Sequence, residues 1–282
     1  MNSAKVRTGG LFNHLRIIIS KRFNRFFYDY IYYSTWLTKN LKFFNLGITP
    51  VDTEIESNHF VVGEKHQAQV YFEVIKAYQR HASHQTPDKV LEISVGLGGG
   101  LQLLAHSFPN AQLFGLDYSK TSARRTQQLV PQASLLVADA HFVPLISQHF
   151  ALLVNVESLH ALKMQDFFQE ARRLLQVDGL LIIIDFRKGR IHELHNRLAY
   201  EAQLAHLEML EFTDLTERVL ASSLIDNARR KQLKHRVPLP FRKWVNEMTA
   251  AEGSVIRKQY EAGEKTYFLC VLRPCLDVSV QS

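Results

Sequence analysis

A cluster of glycines occupies the position where a ligand could approach the backbone. Gly96, Gly98, Gly99 and Gly100 follow the apolar run VLEIS and precede a stretch with helical spacing. Such glycines admit a ligand close to the main chain, and the N terminus of the following helix faces it. A dinucleotide fingerprint starting at Gly96 would need a third glycine at position 101, which is Leu101. The spacing therefore argues against a nicotinamide-dependent oxidoreductase.

Three carboxylates accompany three successive β-like runs. Glu92 lies within the first run, while Asp117 and Asp139 end the second and third. Asp117 is placed to accept hydrogen bonds from a ribose diol, and Asp139 from an adenine amino group. Glu92 needs a partner in its apolar strand, such as an amino group of the ligand. Without a GK[ST] motif for phosphates, the pattern indicates a nucleoside pocket and points to S-adenosylmethionine.

Each of these residues also has a purely structural interpretation. A strand-terminal Asp often only caps the next helix, and Gly98 to Gly100 could serve close helix packing alone. Because three acids accompany three successive strands and one glycine loop, the ligand-binding interpretation is favoured over the structural one.

The fourth β-like run ends in the segment NVESLH, which holds the candidate catalytic residues. His160, with an ordinary pKa near 6.5, is predicted to be a general base. Glu157 is predicted to orient the imidazole or to bind the substrate. The alternatives are that His160 caps or packs beneath a covering domain and that Glu157 is a structural carboxylate.

The order of apolar runs predicts an α/β protein with a doubly wound, mostly parallel sheet. Five such runs alternate with helical segments between Lys89 and Phe186. The closing sequence SVIRKQYEAGEKTYFLCVLRP is predicted to form an antiparallel hairpin around Gly263. The predicted organisation comprises an N-terminal helical lid (1–64), a ligand-binding core (65–189), an inserted helical cap (190–252) and C-terminal strands that complete the sheet (253–282).

The sequence resembles class I S-adenosylmethionine-dependent methyltransferases of Rossmann-like fold, especially the phthiotriolone and phenolphthiotriolone dimycocerosates type of lipid or polyketide O-methyltransferase. The resemblance rests on VLEISVGLGGG, LFGLDYSK, VADAHFVPL, NVESLH, LLQVDGLLIIIDFRKG and TDLTERVL. It departs from the superfamily at Ser94, which replaces the first glycine of E-x-G-x-G-x-G. The residues that it implies for cofactor binding are Glu92, Ser94, Gly96, Gly98, Asp117, Tyr118, Asp139, Ala140 and Asn155.

The function that follows is methyl transfer from S-adenosylmethionine to a hydroxyl group of a hydrophobic small molecule. N- or C-methylation is left open, as is a non-catalytic scaffold or membrane-associated module with the same fold. Homodimerisation is also left open.

The net charge of +7 comes from one segment of the chain. Residues 1–42 hold eight Lys and Arg but one acid, and the remainder is balanced. The body therefore gives no electrostatic reason to bind nucleic acid. The aromatic-rich leader is predicted either to contact anionic membrane or only to cover the active site.

Two further patterns concern location and metals. The chain has two cysteines without a CxxC pair, and it has no apolar run of about 20 residues. It is therefore predicted to be cytoplasmic, with peripheral membrane contact as the alternative. His192 and His195 do not form an HExxH motif, so no metal is predicted.

Overall fold

The protein is built around one mixed sheet of seven strands. The structure is a computed structural model that describes residues 38, 41–51, 63–235, 242 and 249–275. The strands are β1 (Lys89–Ile93), β2 (Gln112–Asp117), β3 (Ser134–Val137), β4 (Phe150–Val156), β5 (Leu175–Lys188), β6 (Leu207–Asp214) and β7 (Lys265–Pro274). The helices of the described ranges are α1 (Lys65–His81), α2 (Gly99–Ser107), α3 (Lys120–Leu129), α4 (Met164–Leu174), α5 (Ile191–Leu204), α6 (Thr216–Ile225), α7 (Asn227–His235) and α8 (Val255–Glu261).

The strand order is β3-β2-β1-β4-β5-β7-β6. It brings the predicted site residues together at the carboxyl ends of the parallel strands. The first five strands in this order are parallel, so their carboxyl ends lie together. The chain reverses its strand order at β1 and β4, and in such sheets the crevice beyond these strand ends is the usual ligand site.

Helices cover both faces of the sheet. On one face α1 packs Val70 and Val74 against the sheet, and on the other α4 packs Phe167 and Phe168. The central strand residues Leu180–Ile184 are fully buried, as expected for a continuous apolar run that is covered from both sides. All five predicted parallel strands are present, and the helix α1 precedes the first of them.

The predicted C-terminal hairpin is wrong in its first half. Val255–Glu261 is the helix α8, whose first turn is capped by Ser254 accepting a hydrogen bond from the Arg257 backbone N–H at 3.1 Å. Only the second half is a strand, β7, and it lies between β5 and β6, antiparallel to both.

The segment predicted to be a helical cap contributes a strand to the sheet. Three helices lie in the described part of this segment, but Leu207–Asp214 forms the edge strand β6. A bulge between Met209 and Glu211 shifts the register with β7. The extra residue interrupts the alternation of period 2 that would otherwise mark this segment as a strand.

The N-terminal segment is described only in part. The predicted N-terminal helical lid (1–64) and the proposed membrane contact of residues 1–42 lie outside the described residues except at 38, 41–51, 63 and 64. Residues 41–51 are irregular, not helical. None of the helices in the described part of the chain is long and apolar enough to cross a membrane.

Candidate active site

The loop after β1 turns sharply at alternate residues. Ser94, Gly96 and Gly98 have φ angles of 68°, 55° and 86°, in the left-handed region. Glycine adopts this conformation without steric cost, whereas serine is strained there. The departure from the glycine motif at Ser94 therefore preserves the backbone shape of the loop at some energetic cost.

Gly99 and Gly100 are required for close packing. A Cβ atom on Gly99 would lie 2.3 Å from the Lys42 carbonyl oxygen, and one on Gly100 would lie 2.1 Å from the Tyr71 ring. The packing interpretation of the glycine cluster thus applies to these two residues and also to Gly98, whose Cβ would lie 2.8 Å from Thr126 Oγ1. The positive φ angles distinguish Gly96 and Gly98 from Gly99 and Gly100.

Glu92 is buried at the end of β1, with 1% of its surface exposed. The Tyr71 hydroxyl donates to its Oε1 atom at 2.6 Å, a partner that the sequence did not reveal. Among the described residues, no donor reaches the buried Oε2 atom. Burial raises the pKa of Glu92 to about 8. A buried acceptor without a donor suits the ammonium group of an amino-acid moiety.

Asp117 joins the glycine loop to the start of α3. Its Oδ2 atom accepts from the Gly96 backbone N–H at 3.0 Å, and its Oδ1 atom accepts from the Ser119 N–H at 2.8 Å. These bonds hold the carboxylate at the end of β2, where the sequence predicted a ribose contact.

Asp139 belongs to a compact turn after β3. Its Oδ1 atom accepts from the His141 backbone N–H at 3.0 Å and is also bonded to Nδ1 of that imidazole. Ala140 is buried beside it, whereas Tyr118, on the neighbouring strand end, is 44% exposed. An accessible aromatic ring beside an acid is suited to a flat heterocycle.

Asn155, at the end of β4, is fully buried. Its Nδ2 atom donates to the Ser158 hydroxyl at 2.6 Å. No described residue donates to its Oδ1 atom, which is also buried. This residue begins the segment NVESLH, which holds the candidate catalytic residues.

His160 is held by a buried carboxylate from β5. The Asp185 side chain accepts from the His160 backbone N–H at 2.7 Å and lies 2.9 Å from imidazole Nδ1. The imidazole stacks on Phe186, with the ring centroids 4.4 Å apart. When Nδ1 carries the proton, Nε2 of the neutral ring is the acceptor nitrogen. The imidazole remains 28% exposed.

The surroundings of His160 favour its protonated form. Burial alone would lower its pKa, but the hydrogen bond to Asp185 and the charges of Asp185 and Glu157 outweigh burial, so the pKa lies above the ordinary 6.5. Such an Asp–His arrangement orients an imidazole and stabilises the imidazolium that forms on proton uptake.

Asp185 is a candidate site residue that the sequence analysis did not identify. It is a single acid directly after the buried run LLIII, and it is fully buried. Like Glu92, it is a carboxylate in an apolar strand, which requires a partner, and this signal is present in the sequence.

Glu157 lies beside His160 but does not orient the imidazole, because Asp185 makes that bond. Its Oε1 atom accepts from the Leu46 backbone N–H at 2.7 Å and from the Tyr267 hydroxyl at 2.8 Å. Burial raises the pKa of Glu157 to about 7, although both hydrogen bonds oppose the shift. Substrate binding by Glu157 stays a prediction.

Residues 41–49, here called the strap, run across the carboxyl ends of the parallel strands. The Lys42 carbonyl accepts from the Gly99 N–H at 2.9 Å, which ties the strap to the glycine loop. The Ile48 N–H donates to the His66 carbonyl at the start of α1. At the end of the strap, Arg218 of α6 donates to the Thr49 carbonyl at 2.7 Å. The strap therefore joins the loop that precedes α2 to α1 and α6.

Comparison with known proteins finds similarity to methyltransferases. A family model described as a methyltransferase domain matches residues 91–183. The phthiotriol/phenolphthiotriol dimycocerosates methyltransferase of Mycobacterium leprae is 25% identical over 202 residues, which are 68% of this chain and 73% of that protein.

Solved structures show the same fold. The geranyl diphosphate C-methyltransferase of Streptomyces coelicolor, in complex with Mg²⁺, geranyl diphosphate and S-adenosyl-L-homocysteine, gives a TM-score of 0.58 at 17% identity and covers 87% of this chain and 97% of its own. The [4+2]-cyclase SpnF gives 0.59 at 14% identity, covering 82% and 87%. Because these proteins differ in chemistry, the likeness bears on the fold alone.

The methyltransferase resemblance predicted from the sequence is confirmed by these comparisons, and so is the Rossmann-like fold class. The predicted cofactor, S-adenosylmethionine, agrees with the match to a methyltransferase domain. The buried Oε2 atom of Glu92 and the carboxylate of Asp117 provide acceptors that fit its amino and hydroxyl donors.

Proposed function

We propose that this S-adenosylmethionine-dependent methyltransferase transfers a methyl group to a hydroxyl group of a hydrophobic small molecule, such as a lipid or a polyketide. The observation that carries the proposal is His160, whose Nδ1 atom lies 2.9 Å from the buried Asp185 carboxylate and whose imidazole remains partly exposed. A positioned base accelerates methyl transfer to a hydroxyl group more than transfer to other acceptors, because the hydroxyl group must lose its proton as the new bond forms. The relative from Mycobacterium leprae is named for a triol, which supports an alcohol acceptor.

The cofactor, when bound, supplies an electrophilic methyl group on a sulfonium centre. We assign the methionine part to Glu92 and to the loop that contains Ser94, Gly96 and Gly98. The burial of Glu92 Oε2 without a described donor supports this assignment.

The nucleoside part is assigned to the two neighbouring strand ends. Asp117 would accept from the ribose hydroxyls, while Asp139, Ala140 and Tyr118 would surround the adenine. Asn155 would face the methionine part from the end of β4. These assignments rest on the common edge of the parallel strands and on the chemistry of each side chain.

His160 acts as the general base in this proposal. Its Nε2 atom takes the proton from the acceptor hydroxyl, and Asp185 holds the ring and stabilises the resulting imidazolium. Holding the hydroxyl oxygen about 3 Å from the methyl carbon supplies much of the remaining rate enhancement.

The alternatives predict different products. An N-methyltransferase would use an amine that is already nucleophilic once neutral, and a C-methyltransferase would need an activated carbon. A non-catalytic scaffold would transfer no methyl group.

We expect label from S-adenosylmethionine with a radioactive methyl group to enter a long-chain secondary alcohol, because that acceptor offers the proton that His160 is placed to remove. The matched amine of equal chain length and the methyl ether of the alcohol serve as comparison acceptors. Extraction and chromatography of the lipid products measure the transfer. Label in the amine at an equal or higher rate would overturn O-methylation, and absence of S-adenosylmethionine binding in calorimetry would overturn the enzyme.

The pH dependence of turnover should follow the imidazole. The base must be neutral to accept a proton, and the pKa of His160 lies above 6.5. We therefore expect kcat to rise as the pH is raised through a value above 6.5 and then to level off. Steady-state rates between pH 6 and pH 9 at saturating substrates provide the measurement. A flat or falling profile over this range would be inconsistent with His160 as the base.

A further inference from the structure

Glu157 connects two parts of the chain that are distant in sequence. One carboxylate oxygen, Oε1, accepts from the Leu46 N–H of the strap and from the Tyr267 hydroxyl of β7. These donors are separated from Glu157 by 111 and 110 residues. Two donors that converge on one oxygen fix the position of the carboxylate and of the strap backbone together.

The backbone at Glu157 is also unusual. Its φ angle is 48°, in the left-handed region that non-glycine residues rarely adopt. Such strain persists only where surrounding contacts hold it, and it concentrates at functional sites. The strained turn directly precedes the residues that carry His160, so the Leu46 contact brings the strap to the end of β4.

We infer that Glu157 is a positioning residue that fastens the strap over the acceptor site, and that it does not take the acceptor proton. The inference rests on the proposed methyl-transfer site, and it does not require the acceptor to be a hydroxyl. Closure by the strap excludes water and holds the acceptor close to the reacting carbon. His160, bonded to Asp185, remains the group that moves the proton.

Two substitutions separate this role from base catalysis. In Glu157→Gln the amide oxygen still accepts from Leu46 and Tyr267, but the side chain can no longer act as a base. In Glu157→Ala both hydrogen bonds are lost. A positioning residue is therefore rescued by glutamine, whereas a general base is not.

The direct readout is hydrogen exchange of the strap in the full-length protein, measured by mass spectrometry on peptides spanning residues 41–49. Losing the buried hydrogen bond to the Glu157 carboxyl group should speed exchange at the Leu46 amide by about 10- to 100-fold in Glu157→Ala. Glu157→Gln should stay within about threefold of the wild type. This readout needs neither cofactor nor acceptor, so its failure is distinguishable from failure of the proposed function.

The kinetic readout is the division of the effect between KM and kcat. Glu157→Ala should raise the acceptor KM by about tenfold or more, with a smaller change in kcat, and Glu157→Gln should restore both. A matched control is Glu211→Ala. Glu211 accepts from Arg80 and His81 at the opposite end of α1, so its loss should alter neither strap exchange nor the acceptor KM.

Two results would overturn the inference. One is unchanged strap exchange in Glu157→Ala. The other is a Glu157→Gln variant with wild-type strap exchange whose kcat is as low as that of Glu157→Ala, which would identify Glu157 as the base. If Glu157→Ala does not fold, Tyr267→Phe removes one of the two donors and should loosen the strap measurably. Wild-type exchange in that variant would count equally against the inference.

Discussion

Replacing His160 with alanine should lower kcat by about 10²- to 10⁴-fold and leave S-adenosylmethionine affinity unchanged. The imidazole is held by Asp185 through Nδ1 at 2.9 Å, and it is proposed to take the acceptor proton at Nε2. Its removal eliminates the base without touching the glycine loop or Asp117. Single-turnover kinetics with the alcohol acceptor and calorimetry with the cofactor measure the two effects separately.

Two further variants test the origin of this loss. Asp185→Asn should also lower kcat, because an amide no longer stabilises the imidazolium and disturbs the choice of tautomer. His84→Ala removes an exposed histidine of the loop before β1 and should have no effect. If turnover of His160→Ala equals that of the wild type, positioning alone accounts for the rate and no base at this position is needed.

Asp117→Ala should weaken S-adenosylmethionine binding by about 10²- to 10⁴-fold. Hydrogen bonds to a charged group contribute about 1.5–3 kcal/mol each, and two ribose hydroxyls together account for this range at about 1.4 kcal/mol per tenfold. The substitution also removes the acceptor of the Gly96 N–H, which orders the glycine loop. Isothermal titration calorimetry of the folded variant provides the measurement.

The control for Asp117 is an acid at the other end of the sheet. Asp88 directly precedes β1, where its half-exposed carboxylate accepts from the Lys89 N–H at 2.8 Å. Asp88→Ala should bind the cofactor as tightly as the wild type. If Asp117→Ala also binds with wild-type affinity while thermal unfolding shows an intact fold, the ribose is held by other residues.

Local signals predicted the parallel part of the sheet. A strand covered on both faces is a short continuous apolar run, and glycine or acid-containing turns mark its end. Both properties are present in the sequence around β1, β2 and β5. Glu92 and Asp117 could therefore be placed at the ligand-binding edge before any three-dimensional information was considered.

Partners that are far apart in the chain were not predictable. His160 and Asp185 are 25 residues apart, and they meet because β4 and β5 are parallel neighbours. Glu157 meets Leu46 and Tyr267 only when the strap and β7 close around the end of β4. The sequence shows the type of each side chain, but the pairing depends on strand order.

Short segments with mixed signals were decided by their surroundings. Val255–Glu261 has apolar residues that fit either a strand or a helical turn, and the Ser254 cap together with burial of Tyr260 selects the helix. Leu207–Asp214 pairs with β7 despite an interrupted alternation of apolar residues, because the bulge accommodates the extra residue.

By itself, then, the sequence determined the parallel core, the glycine loop and the acids that follow its strands. These features depend on residue periodicity and on backbone preferences within a few neighbouring residues. Only the tertiary structure decided which carboxylate orients His160, where the last two strands lie and what Glu157 holds. Those outcomes depend on contacts across 25 to 111 residues, which form only when the sheet is complete.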